Sequence, residues 1–256
     1  MSASQSDRPM LNIQKITKDH PWAWLNAGWN DFARRPAIGL IYGLTFTVVS
    51  YALAACLNYL DMLYLLLPLG AAFTLAGPML AVGLYEASRR FEANEPVRLG
   101  DILTVGARAP SQLAIIGLLL LIALLVWLRI ATLLFVLFFS DAIPNLAELL
   151  PTLLMTANGL TFLTVGTFIG AVLAFTVFAI SAVSVPLLLD RDIDAITAIV
   201  ISVQAVWGNL GPMLLWAWLI ALMTFVGIVT LFFGLIVTFP VIGYATWHAY
   251  RDLIEP

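Results

Sequence analysis

Long uncharged stretches alternate with short clusters of charge along the whole of this 256-residue chain, and that alternation predicts its elements. A hydrocarbon core about 30 Å thick is crossed by roughly 20 helical residues. Stretches of that kind predict spans at about 37–60, 62–85, 111–139, 161–189, 210–232 and 234–250. The junction between the first two, Asn58 to Asp61, has room only for a tight helical hairpin. From Ala195 to Trp247 there is no acidic or basic residue, which is too long for one crossing and about right for two, divided near Phe232 to Gly234.

Prolines recur in step with these spans. Pro36, Pro110 and Pro212 each open an outward-going helix, where a missing backbone N–H costs nothing, and Pro78, Pro186 and Pro240 each fall late in a returning one. The chain then reads as three hairpins, with the stretch from Pro78 to Arg89 loosely echoing that from Pro240 to Arg251; unrelated kinks are the alternative, since proline is frequent in membrane helices. Each hairpin is preceded by a candidate interfacial helix, at 21–35, 99–109 and 194–209. In the first, Trp22, Leu25, Trp29 and Phe32 fall on one face suited to the headgroup zone, with Arg34 and Arg35 placed to meet lipid phosphates. A further leucine-rich piece, 142–155, reads as amphipathic and lying on the outer surface, against lipid or a partner subunit. The expected fold is all-α: a polytopic membrane helix bundle of about six transmembrane helices in three hairpins, with a polar N-terminal tail at 1–20 and one transmembrane domain at 21–256.

Composition agrees, with 62% hydrophobic and 11% charged residues. Twelve basic and fifteen acidic side chains are too few to cover a water-soluble domain of this length, so lipid must solvate most of the surface. The placement of charge adds direction. All the cations except Arg129 fall on one side of the predicted bundle, and the other side carries Asp61, Asp141 and Glu148. Cytoplasmic loops hold the Lys and Arg excess, which predicts a multi-pass protein of a bacterial inner membrane with both termini in the cytoplasm. No apolar leader precedes the first span, so no cleavable signal peptide is expected. A net charge of −3 leaves no basic footprint for nucleic acid.

Chemistry is sparse. Arg129 interrupts an otherwise apolar segment, and ionisable groups there are costly enough to suggest function. If its helix starts at Pro110, about 20 residues bring it to the outer headgroups, where it snorkels. If the span is instead 118–139, it lies deep and needs a counter-ion such as Asp141 or Glu148. His20 and His248, the only histidines, both fall at or beyond the cytoplasmic boundary, which excludes an intramembrane haem or metal centre. Cys56 is alone, Ser181 and Ser184 have no activating base, and no phosphate-binding loop occurs. No cofactor, metal site or enzyme activity is expected. Gly39 with Gly43 and Gly166 with Gly170 permit close helix packing, within the bundle rather than between chains. Thr161, Thr164, Thr167 and Thr176 make the fourth span partly polar, although threonine commonly bonds its own helix.

Gly83-Leu84-Tyr85-Glu86 with Ser88-Arg89-Arg90, Pro186 with Asp190-Arg191-Asp192, and Pro240 with Trp247 to Arg251 together resemble a bacterial integral membrane family known only as a domain of unknown function. Some of its members are labelled cytochrome c oxidase subunits, which the histidine count does not support here. The resemblance covers about 24–253 and implies a membrane envelope without an activity. Its motifs sit just inside the cytoplasmic face, where Glu86, Arg89, Arg90, Asp190, Arg191 and Arg251 form a candidate charge cluster tying helix ends together. Two functions are expected: an accessory or scaffold component of a membrane complex, in contact with membrane lipids and other inner-membrane subunits or a second copy; alternatively, a small channel or carrier for a small solute.

Overall fold

The computed structural model describes residues 12–60, 62, 65–103, 105, 110–139 and 146–255. Twelve helices are described, and their order repeats three times as a short helix, a long outgoing helix and a returning arm. The first set is α1 (His20–Arg34), α2 (Pro36–Tyr59) and the arm α3 (Leu66–Leu80) with α4 (Val82–Glu92). The second is α5 (Leu99–Leu103), α6 (Pro110–Phe138) and the arm α8 (Ala157–Ser181) with α9 (Ser184–Asp190), preceded by α7 (Leu146–Met155) at the far end. The third is α10 (Ala195–Gly208), α11 (Leu210–Val229) and α12 (Leu235–Leu253). Each short helix packs on a returning arm: α5 on α4, α10 on α8 and α9, and α1 on α12. The internal threefold pattern thus extends to packing.

Five segments are long and apolar enough to cross a bilayer: Pro36–Tyr59, Pro68–Glu92, Ser111–Phe138, Ala157–Asp190 and Leu210–Val229. Their boundaries depart from the sequence expectation where proline acts. The arm expected as a single helix over 161–189 begins earlier, at Ala157, because the Thr156 hydroxyl caps it by accepting from the Gly159 N–H at 3.0 Å. It then breaks at Ala182 and Val183. Pro186 has no N–H to offer the Ala182 carbonyl four residues back, and Ser202 of α10 enters the gap. Its hydroxyl accepts from the Val183 N–H at 3.1 Å and donates to the Ala179 carbonyl at 2.8 Å. The arm expected over 62–85 likewise starts at Leu66, breaks at Ala81 and runs on as amphipathic α4 to Glu92. Of the interfacial helix expected over 99–109, α5 covers Leu99–Leu103, and 106–109 lie outside the described residues.

The sixth expected span, 234–250, is α12, and it differs in kind from the other five. Packed by α1, α2, α4, α9 and α11, it buries residues on every side of its C-terminal half, among them Tyr244, Trp247 and Tyr250. Protein rather than lipid is its solvent, which is why it can carry His248, Arg251 and Asp252. Gly43 makes the approach of α2 possible: a Cβ there would collide with the Ile236 backbone. The two glycine pairs therefore seat helices within the chain, Gly39 and Gly43 against α12 and its surroundings, Gly170 against Trp127 of α6.

The turn between α11 and α12 has an apolar sequence, Leu231-Phe232-Phe233-Gly234, with Leu231 and Phe232 at positive φ. Its backbone is nevertheless satisfied. Tyr51 donates to the Leu231 carbonyl at 2.7 Å, Thr47 to the Phe232 carbonyl at 3.1 Å, and the Gly234 N–H donates to the Thr230 hydroxyl at 2.9 Å. Polar groups at bilayer depth need internal partners. The turn lies level with Tyr51, eight residues and about 12 Å short of the end of α2.

Residues 12–18, expected as part of a polar tail, are docked. Ile13 forms an antiparallel bridge with Ile254, and Asn209 accepts from the Ile16 N–H at 3.0 Å while donating to the Gln14 carbonyl at 3.0 Å. The main core runs through α1–α6 and α8–α12, and a second small cluster of Phe135, Phe139 and Leu153 closes the far end of the second hairpin.

Candidate functional site

Charge converges where the returning arms end. On α4, Glu86 stands one turn before Arg89 and Arg90, so both guanidiniums reach back to one carboxylate. Glu86 accepts from Arg89 Nε at 2.7 Å and Nη2 at 3.0 Å, and from Arg90 Nε at 2.7 Å. Glu86 and Arg90 are buried, so the pair is partly dehydrated and its geometry must compensate the lost hydration. Arg90 also donates to the Pro96 carbonyl at 3.1 Å, which ties the arm to the loop that follows.

From α12, Trp247 donates to Glu92 at 3.0 Å and Arg251 Nε donates to the same carboxylate at 3.1 Å. Arg251 Nη1 lies 3.6 Å from Asp190 at the end of α9, and the Tyr250 hydroxyl donates to Asp190 at 2.6 Å. Arg191 adds a looser 3.9 Å approach to Asp190 and donates to the Glu255 carbonyl at 2.7 Å. The structure therefore brings all six sequence-derived cluster residues to one end of the bundle, linked through α12.

Further members come from α1. Asp31, buried, accepts from the Ser88 hydroxyl at 2.6 Å and lies 2.9 Å from His248 Nε2. Asp252 accepts from Trp24 Nε1 at 2.8 Å and lies 2.5 Å from His20 Nδ1. The partner of His248 is thus on α1 and not among its sequence neighbours Arg251 and Asp252. One signal for Asp31 was present: Trp24, Gly28, Asp31 and Phe32 share a helical stripe, and that stripe is the face α1 buries. Of the four residues expected on one interfacial face, Trp22 and Trp29 are exposed, whereas Phe32 belongs to the buried stripe and packs over Gly39 of α2. Beside the layer, a cleft of about 530 Å³ is lined by Glu86, Arg89, Gln112, Asp190, Arg191 and Asp192, among others.

Arg129 stands apart, exposed and with no hydrogen bond or ion pair to another described residue. Asp141 and the side chain of Glu148, its expected carboxylates, lie outside the described residues. Its depth is fixed by Trp127, which donates to the Pro68 carbonyl at 2.9 Å near the start of α3. From Pro68 to Glu86 is 18 residues, about 27 Å along the arm. That is close to a hydrocarbon thickness, so Arg129 stands toward the end of the bundle opposite the charged layer. The threonines of α8 line no conduit. Thr161, Thr164 and Thr176 are exposed on the bundle's exterior and donate to carbonyls one turn back at 2.8, 2.8 and 2.9 Å. Among the described residues no group of three or more His, Cys, Asp or Glu is placed to hold a metal ion.

Apolar crossing helices with ionisable side chains gathered at one boundary define a multi-pass integral membrane protein. Residues 66–190, which carry the second half of the first hairpin and all of the second, match a family model described as "Predicted integral membrane protein (DUF2189)". That description carries no oxidase assignment. No curated protein and no solved structure matches the chain.

Proposed function

We propose that this chain is a non-catalytic accessory component of a membrane complex, set in a bacterial inner membrane with the charged layer and both termini facing the cytoplasm. The observation that carries this reading is the way the layer's charges are used. Glu86, Glu92, Asp31, Asp190 and Asp252 are each engaged by side chains of the same chain, so they serve to lock helix ends rather than to await a substrate. Thr161, Thr164 and Thr176 turn back on carbonyls of their own helix, Tyr42 donates to the Leu80 carbonyl, and Thr47 and Tyr51 cap the α11–α12 turn, so among the described residues these hydroxyls form no continuous chain of polar groups through the bundle. A carrier needs such a path. The orientation rests on the cation excess at the layer. Exposed apolar side chains along α2, α6 and α11 offer surface to lipid and to neighbouring subunits alike.

The test is extraction of the tagged chain from native membranes in mild detergent, followed by identification of what stays bound. The proposal expects one or more membrane subunits in constant ratio. Recovery of the chain alone, together with gradient-driven solute flux after reconstitution into liposomes, would establish the carrier instead.

A further inference from the structure

The threefold pattern has one irregular joint. In the first two sets the outgoing helix lies along a returning arm from the set before it in the cycle, α2 on α12 and α6 on α3. The third outgoing helix, α11, packs on α12 and barely touches α8. Between α8 and α11 there is instead a partly open crevice of about 450 Å³, floored by α3 and α12. That is a ligand-sized volume, within the range of about 300–1,000 Å³ for small-molecule sites. The wall leaves the space free because its residues are small: Gly77, Ala81, Ala171, Ala174, Ala217 and Ala221 all face it. At Gly77 a Cβ would meet no atom within 4 Å.

The crevice is almost wholly apolar but not entirely. Trp216, fully buried, lines it, and its indole N–H has no acceptor among the described residues. Buried donors are nearly always satisfied, so an acceptor belongs here. Its depth narrows the choice. Trp216 packs edge-on against Trp24 at 5.6 Å, and Trp24 in turn donates to Asp252 of the charged layer. The orphan N–H thus lies one ring below the polar boundary, and the apolar space continues from Tyr85 to Phe73, twelve residues or about 18 Å deeper. A long chain with a single acceptor just beneath a charged headgroup is the shape of a glycerophospholipid.

We propose that this crevice holds one phospholipid of the leaflet adjoining the charged layer, its acyl chain between α8 and α11 and an ester carbonyl accepting from Trp216 Nε1. The lipid stands in for the helix contact that the third repeat lacks, and this holds whether the chain is an accessory subunit or a carrier.

The experiment is native mass spectrometry of the full chain released from detergent after extensive washing, with lipid extraction to identify what is retained. Wild type should keep one diacyl phospholipid per chain. Gly77→Leu, which fills the space without a backbone clash and favours the helix, should lose that lipid while keeping its elution volume and helical circular dichroism. Trp216→Phe should weaken retention about fivefold, the value of one net hydrogen bond, as read by titrating phospholipid back into delipidated protein. Equal retention by wild type and Gly77→Leu would overturn the proposal. So would a wild type that carries no lipid, or one that retains a molecule without an ester, such as an isoprenoid.

Discussion

Removing one carboxylate should expose how much the charged layer contributes to stability. Glu86→Ala deletes the acceptor of three charge-assisted bonds at 2.7, 3.0 and 2.7 Å. The two cations it leaves behind differ. Arg89 is 28% exposed and keeps Glu95 at 3.7 Å, so water and a second partner soften its loss. Arg90 is only 10% exposed in its side chain, so although it keeps the Pro96 carbonyl among its contacts, the carboxylate it loses is poorly replaced by water. Breaking a buried pair from one side costs about 3–5 kcal/mol, because the surviving charge has lost its compensation. For a chain of this size that corresponds to a fall in Tm of roughly 6–20 °C. The comparison that isolates the cause is Glu86→Ala with Arg90→Met, in which the poorly hydrated cation is removed as well. The double variant should recover at least half of the loss. Thermal unfolding in detergent, followed by circular dichroism and by the fraction remaining monodisperse, reads both. If Glu86→Ala melts within about 1 °C of wild type, or if Arg90→Met deepens its loss, the layer is not held together by this pair.

Other sites give sharper local readouts. Asn209→Ala removes the acceptor for the Ile16 N–H and the donor to the Gln14 carbonyl, so residues 12–18 should exchange amide hydrogen at least tenfold faster, for a loss of about 2 kcal/mol. Gly43→Leu drives a side chain into the Ile236 backbone and should cost more than about 4 kcal/mol or abolish folding, whereas Gly77→Leu should be tolerated; a thermal melt of the pair checks the contrast. Tyr51→Phe strips one cap from the α11–α12 turn and should lower stability by about 0.6–1.7 kcal/mol in detergent unfolding. Arg129→Gln touches no described partner and should melt within about 0.5 kcal/mol of wild type, an outcome that a buried functional charge would not permit.

Much of this fold was legible in the chain because lipid imposes a simple rule: twenty apolar residues make a rod, and cations collect at one end. Glu86, Arg89 and Arg90 could be read as a unit because helical spacing alone brings them together, and Asp190, Arg191 and Arg251 because each ends a returning arm. What stayed hidden is what the rule does not encode. The central position of α12 left only a partial mark: its C-terminal half is the more polar one, with His248, Arg251 and Asp252, while its N-terminal half reads like any crossing span. The links from Asp31 to His248 and from His20 to Asp252 join positions 217 and 232 residues apart, and no local pattern announces them. The docking of residues 12–18 depends on Asn209, whose partners Gln14 and Ile16 lie 195 and 193 residues away along the chain. The crevice was invisible for a further reason: it arises from a contact that two repeats make and the third does not.

Apolar rods crossing the bilayer should leave the charged layer on one side of it. Single cysteines settle it directly in a Cys56→Ser background, using a membrane-impermeant maleimide on intact spheroplasts and again after permeabilisation. Glu95→Cys and Asp192→Cys, beside the layer, should react only after permeabilisation, and Tyr59→Cys, 87% exposed at the opposite end of α2, should react before it. Labelling of Glu95→Cys in intact spheroplasts, or of both ends from the same side, would contradict the account.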